Sequence, residues 1–127
     1  MAKFVADEIM DVALNMIADI GDTLYACSDQ PANWAAIAAI SLGSVALTEG
    51  DGNGDYVVGD GDVSGRKLTL TAQEITASDT GNVTHLVIAD DVAEAIAAIT
   101  TCSSFGVTNG NPFDVASYTI WEIRDPS

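Results

Sequence analysis

Five residues in one acidic stretch carry the spacing of a calcium loop: Asp51, Asn53, Asp55, Gly59 and Asp62 fall on positions 1, 3, 5, 9 and 12 of the twelve-residue count that gathers hard oxygen ligands around Ca²⁺. Two departures weaken the pattern. Position 6, where the loop turns sharply and glycine is needed, holds Tyr56, and position 12 holds Asp62 instead of the longer, bidentate glutamate. No helix is predicted on either side. The stretch therefore reads as a mobile, solvated acidic loop, with Asp51, Asn53, Asp55 and Asp62 kept as the weak metal set and calcium as the single candidate cofactor.

Other chemistries find less support. His85 is the single histidine, so neither a histidine metal cluster nor a His–His relay is available. Ser28, Ser64 and Ser103 lack the Gly-x-Ser-x-Gly elbow that would present a nucleophile to it, and no local signature pairs His85 with Cys27 or Cys102. The glycines at 50, 52 and 54 have acidic neighbours where a phosphate would bind. Adjacent carboxylates such as Asp90 and Asp91 are expected by chance in so acidic a chain and read as solvated surface. The expectation is a protein with no catalytic residues, His85 being a structural histidine on a strand.

Charge narrows the partners. Nineteen acidic residues against four basic ones give a formal charge of −15, while 48% of the chain is hydrophobic and the mean hydropathy is +0.25. A chain without a basic footprint gains nothing from counterion release, which argues against nucleic acid. Disorder is equally disfavoured, because disordered chains combine high charge with low hydrophobicity. The charge also suits a saline habitat. Arg66 and Lys67 stand side by side near Asp60 and Asp62; internal ion pairs are favoured over docking on a neighbour's acidic patch. Cys27 and Cys102, 75 positions apart with no metal-ligand spacing, read as two buried free thiols.

The elements that must position these residues begin with an amphipathic helix over 5–20. Val5, Ile9, Val12, Ala13, Met16, Ile17 and Ile20 recur at helical spacing, early acidic residues suit the helix dipole, and Gly21 closes it. Residues 23–28 read as a strand, 29–33 as a turn, and 34–38 as a short helical turn. Strands are expected over 44–48, 67–73, 83–89 and 114–124, the last alternating Val115, Ser117, Thr119, Trp121 and Ile123 against Ala116, Tyr118, Ile120 and Glu122. Large side chains on both faces there suggest a strand central to a sandwich or pressed on another chain. The alanine-rich 91–101 stretch fits a helix by composition, whereas its position and its Ile-Thr-Thr ending favour a strand. Residues 49–65 and 103–112 read as loops.

The expected fold is mainly β (α+β): one β-sandwich-like domain over 1–127, with the helix in 1–21 and a β-rich part over 22–127 bearing the acidic loop 49–65. No apolar run is long enough for a membrane span, and the first helix, interrupted by Asp7, Glu8 and Asp11, does not read as a secretory signal, so synthesis in the cytoplasm is expected. Trp34 and Trp121 read as core or interface anchors.

In order along the chain, Cys27, Ser28 and Pro31 in a strand-to-turn step, Ser41-Leu42-Gly43, the 61–67 run from Gly61 to Lys67 opening a strand, and Thr84-His85 resemble the pattern of a family of small virion proteins of tailed bacteriophages. The resemblance spans nearly the whole chain and its motifs are structural. The chain departs from it in the strongly acidic 48–60 loop and in the alanine-rich 91–112 region with its second cysteine.

The resemblance implies a non-enzymatic virion building block made in the host cytoplasm. The expected role is a capsid decoration (cement) protein on the head shell, partnered by copies of itself and the major capsid protein, with no nucleic acid and no membrane. A neck or tail accessory role is the alternative, and a calcium- or carbohydrate-binding module touching the host surface is the alternative of another class. Contact is expected through Val5, Ile9, Val12, Met16, Trp34, Ile37, Tyr118, Ile120 and Trp121.

Overall fold

A computed structural model describes residues 5–125. The expected helix forms over Asp7–Ile20 (α1), two residues shorter at its start than the 5–20 expectation, so Val5 lies outside it, with Asp7 and Glu8 in its first turn at the positive end of the dipole. Its inward residues are Met10, Leu14 and Ala18, spaced four apart, with Ile17 beside them. Apolar residues cover more than half of its circumference, so the core takes one face and leaves Ile9, Val12 and Met16 exposed at 65%, 71% and 66%. Gly21 ends the helix for a reason of space, since its backbone is extended, with no left-handed turn. A Cβ there would collide with the Tyr56 hydroxyl and an Ile88 methyl.

The chain then enters a four-stranded antiparallel sheet, ordered β2-β1-β6-β7, of Thr23–Cys27 (β1), Ser41–Ala46 (β2), Gly81–Asp90 (β6) and Ala95–Val107 (β7). Alternation gives it two apolar faces. Leu24, Ala26, Leu42, Leu86 and Ile88 join the main core, while Cys27, Val87 and Ala89 form a second cluster with Tyr25, Ile96 and Ile99. A short turn, Trp34–Ala36, capped by the Asn33 side chain accepting from Ala36 N at 3.0 Å, leads into Ile37–Ile40 (α2) and lays Trp34, Ile37 and Ile40 over that second cluster. The ambiguous alanine-rich stretch is a strand from residue 95, and residues 91–94 are turn.

Opposing the main face are a three-stranded sheet of Tyr56–Asp60 (β3), Arg66–Leu70 (β4) and Tyr118–Ile123 (β9), ordered β3-β4-β9, and the pair Gln73–Thr76 (β5) with Pro112–Val115 (β8). Tyr56, Leu68, Leu70 and Ile75, all at 0% exposure, meet the four-stranded sheet in one core. Each such leucine or isoleucine contributes about 2 kcal/mol of transfer free energy. The fold is mainly β, sandwich-like, with an N-terminal helix laid against β3 and β4, as expected.

Several boundaries differ from the expectation. The 49–65 loop contains β3, because Tyr56, Val57 and Val58 gain a partner in β4. The 67–73 strand is two, β4 and β5, in different sheets. The 103–112 loop is shorter, since β7 runs to Val107. The long strand at 114–124 is broken at Ala116–Ser117 into β8 and β9, where the Ser117 hydroxyl donates to Leu70 O at 2.8 Å. Far from being central, β9 pairs with β4 alone.

Candidate functional site

The acidic loop folds as a strap across the edge of β3, its turns made possible by Gly50, Gly52 and Gly54 at φ of 94°, 79° and 118°. Its carboxylates are turned to protein donors. Asp51 accepts from Val58 N at 2.9 Å, and Asp55 accepts from Thr48 N at 2.6 Å and from Gln73 Nε2 at 2.9 Å. Asn53 donates to Glu49 O, and Asp62 accepts from Lys67 Nζ at 2.6 Å. The structure does not bring the four into one sphere. Five extended residues of β3, spanning about 16 Å, intervene between Asp55 and Asp62, with Gly59 inside that strand. Among the described residues no three Asp, Glu, His or Cys side chains are grouped to hold a metal ion.

The strongest polar constellation is one that sequence reasoning passed over. Asp91, just past β6, accepts from Trp34 Nε1 at 2.9 Å and from Thr23 Oγ1 at 2.9 Å, and the Tyr25 hydroxyl lies 2.9 and 2.8 Å from its two oxygens. Its own N–H donates to Asp22 at 3.1 Å. Partial burial pushes the carboxyl up, but donation from Trp34, Tyr25 and Thr23 outweighs it and holds Asp91 below the ordinary carboxylate range. Burial, and then the bond to Asp91, raise the Tyr25 phenol. With its oxygens occupied, Asp91 is not a free base. It ties the Trp34 turn to β1 and the end of β6, so the expectation of a solvated Asp90–Asp91 pair is corrected for Asp91. Its donors lie 57 to 68 positions away; the β1–β6 register brings Thr23 and Tyr25 to it, and the turn after β1 brings Trp34.

His85 stands directly across from Cys27 in the β1–β6 ladder, and its Nδ1 lies 2.8 Å from Thr84 Oγ1. The pairing is no nucleophile–base couple, because Cys27 has 0% exposure and burial pushes its thiol up to about 11. Cys102 is half-buried, not buried as expected, because it packs only at the margin of the main core, on the other face of the sheet from Cys27 and with β6 between their strands. Two strand spacings are roughly 9–10 Å, beyond the ~7 Å that a disulfide spans, and both cysteines are free.

The described cations are all engaged within the chain. Arg66 bonds Asp11 and Asp60, each at 2.8 Å, Lys67 bonds Asp62, and Arg124 bonds Glu122 at 2.6 Å. The intramolecular expectation for Arg66 and Lys67 holds, with Asp11 of α1 as an added partner. The Asp11 bond, foremost, raises the Arg66 guanidinium, and Arg124 followed by the Asp62 N–H lowers Glu122.

The expected contact residues divide. Ile9, Val12, Met16 and Trp121, the last at 47%, are exposed. Val5 is half-buried beside a depression of about 360 Å³ that it lines with Ala6, Asp7, Glu8 and Asp125. Ile37 is buried at 2% and Trp34 half-buried, both covering the second cluster, while Tyr118 and Ile120 pack on the main core. Ile37 is thus taken up by the chain's own interior and Trp34, Tyr118 and Ile120 are partly covered by it, because the 34–40 segment lies over the outer face of the four-stranded sheet and β9 closes the core.

Compared with protein-family models, curated proteins and solved structures, the chain matches none.

Proposed function

We propose that this protein is a non-enzymatic structural component of a bacteriophage virion, a decoration protein that docks on the outside of the head shell. The observation that carries the docking is the α1 stripe of Ile9, Val12 and Met16, at 65%, 71% and 66% exposure on a helix otherwise locked to the β-rich body. Contiguous apolar side chains left in water mark a surface that another molecule covers. Consistent with a non-enzymatic role, Asp91, Cys27 and Arg66 are engaged or buried in ways that serve structure. The order of Cys27-Ser28, Ser41-Leu42-Gly43, the 61–67 run and Thr84-His85 supports placing the partner in a tailed-phage particle.

Co-sedimentation of the purified chain with empty head shells tests this reading. The expected result is saturable binding that the charge-neutral double variant Val12→Ser/Met16→Ser weakens; shells that pellet without the protein would refute it. Binding to isolated necks or tails instead would establish the adaptor alternative. The calcium-module alternative has weaker support, since Asp51, Asp55 and Asp62 already serve protein donors. A thermal midpoint that climbs on calcium addition would favour it.

A further inference from the structure

Ile9, Val12 and Met16 follow one another at helical spacings of three and four, so they lie along one face of α1. Glu8 sits one turn before Val12 and Asp19 about one turn after Met16, both exposed and both outside every ion pair among the described residues. The stripe is thus an apolar ridge with an acidic border. We propose that it docks into an apolar groove of a protein partner rimmed with Lys or Arg, and that a second copy of this chain is not the occupant. The identity of that partner as a shell protein rests on the virion reading; the chemistry of the surface does not.

Charge decides among the occupants. Packing α1 against α1 of another copy sets Glu8 and Asp19 against the same acids. Among the described residues the cations Arg66, Lys67 and Arg124 are already held by Asp11, Asp60, Asp62 and Glu122, so none of these three is free to offset that repulsion. A membrane surface fits no better, because interfacial helices carry Lys and Arg toward anionic headgroups and this border carries carboxylates. A basic-rimmed protein groove satisfies both parts of the face, apolar contact along the ridge and opposite charge at its edge, and the field of a −15 chain steers the encounter.

The test uses the whole chain and two synthetic helical peptides about four turns long, each with the same leucine stripe, one bordered by lysine and the other by glutamate. Titration followed by amide NMR should show the lysine-bordered peptide binding, with shifts centred on Ile9, Val12 and Met16, and the glutamate-bordered peptide failing to bind. Val12→Ser/Met16→Ser changes only exposed side chains and keeps every charge, and it should weaken binding about tenfold or more. Failure to bind head shells, with the peptide result standing, would refute the virion reading alone. Equal binding of the lysine-bordered peptide by the double variant would overturn the proposal, by showing condensation on acidic surface. So would self-association in low salt, or binding to anionic vesicles, that the double variant abolishes.

Discussion

The indole nitrogen of Trp34 donates to Asp91 Oδ1 at 2.9 Å, closing the short helical segment over the outer face of the four-stranded sheet. Asp91→Ala removes the acceptor of Trp34 and Tyr25 and leaves those partly buried donors unpaired, while the Thr23 hydroxyl keeps Asp22 as an acceptor, so a loss of about 1–3 kcal/mol in urea unfolding is expected. The sign with pH follows from the lowered Asp91 carboxyl. Its contribution is fully present above the ordinary carboxylate value of 3.8 and is lost as pH falls through the lower folded value. Melts between neutral pH and strong acid should show wild type losing more stability below about pH 4 than Asp91→Asn does.

Gly21 and Tyr56 are coupled twice over. The Tyr56 hydroxyl donates to Gly21 O at 2.8 Å and also fills the space that a side chain at 21 would need. Tyr56→Phe should cost about 1 kcal/mol for the lost bond, and Gly21→Ala about 2 kcal/mol or more through overpacking. In a double-mutant cycle Gly21→Ala should be less harmful when combined with Tyr56→Phe, since one of the two colliding groups is gone, though Ile88 remains.

The buried hydroxyl of Tyr118 finds no hydrogen-bond partner among the described residues. Desolvation, with the neighbouring Cys102 thiol a lesser influence, pushes its phenol well up, so it stays neutral at ordinary pH. Removing a polar atom that folding strips of water should help, and Tyr118→Phe is expected to raise stability by up to about 1 kcal/mol. A lowered melting midpoint would show that the hydroxyl has a partner in solution.

Local chemistry was the legible part of this fold. Arg66 and Lys67 meet Asp60 and Asp62 because five or six residues and one tight turn join them, and α1 is a helix by its own spacing. Which face of α1 turns inward was not legible, since Met10, Leu14 and Ala18 are apolar and so are Ile9, Val12 and Met16. The β3 strand was hidden for a related reason: Tyr56-Val57-Val58 is a short run among glycines and aspartates, and its state is decided by its partner β4. Asp91 looked like surface because its donors arrive only through the β1–β6 register and the placement of Trp34. The alternation over 114–124 is real, yet the bend at Ala116–Ser117 hands the chain from β5 to β4, and periodicity carries no record of a change of partner.

Net charge and one half-buried ion pair should respond to salt in opposite directions. A folded chain of charge −15 repels itself, so raising salt from low to moderate concentration should raise the melting midpoint. Arg66, 19% exposed, ties Asp11 of α1 to β4 while also meeting the well-exposed Asp60. Arg66→Met keeps the stem's packing and removes the tie, adding one more unit of net negative charge. It should cost about 1–2 kcal/mol in low salt and less in high salt, with α1 amides exchanging faster than those of β1 and β6. Uniform acceleration across α1 and the sheet would mean instead that the helix and the β-rich body open as a single unit, and that Arg66 holds no boundary between them.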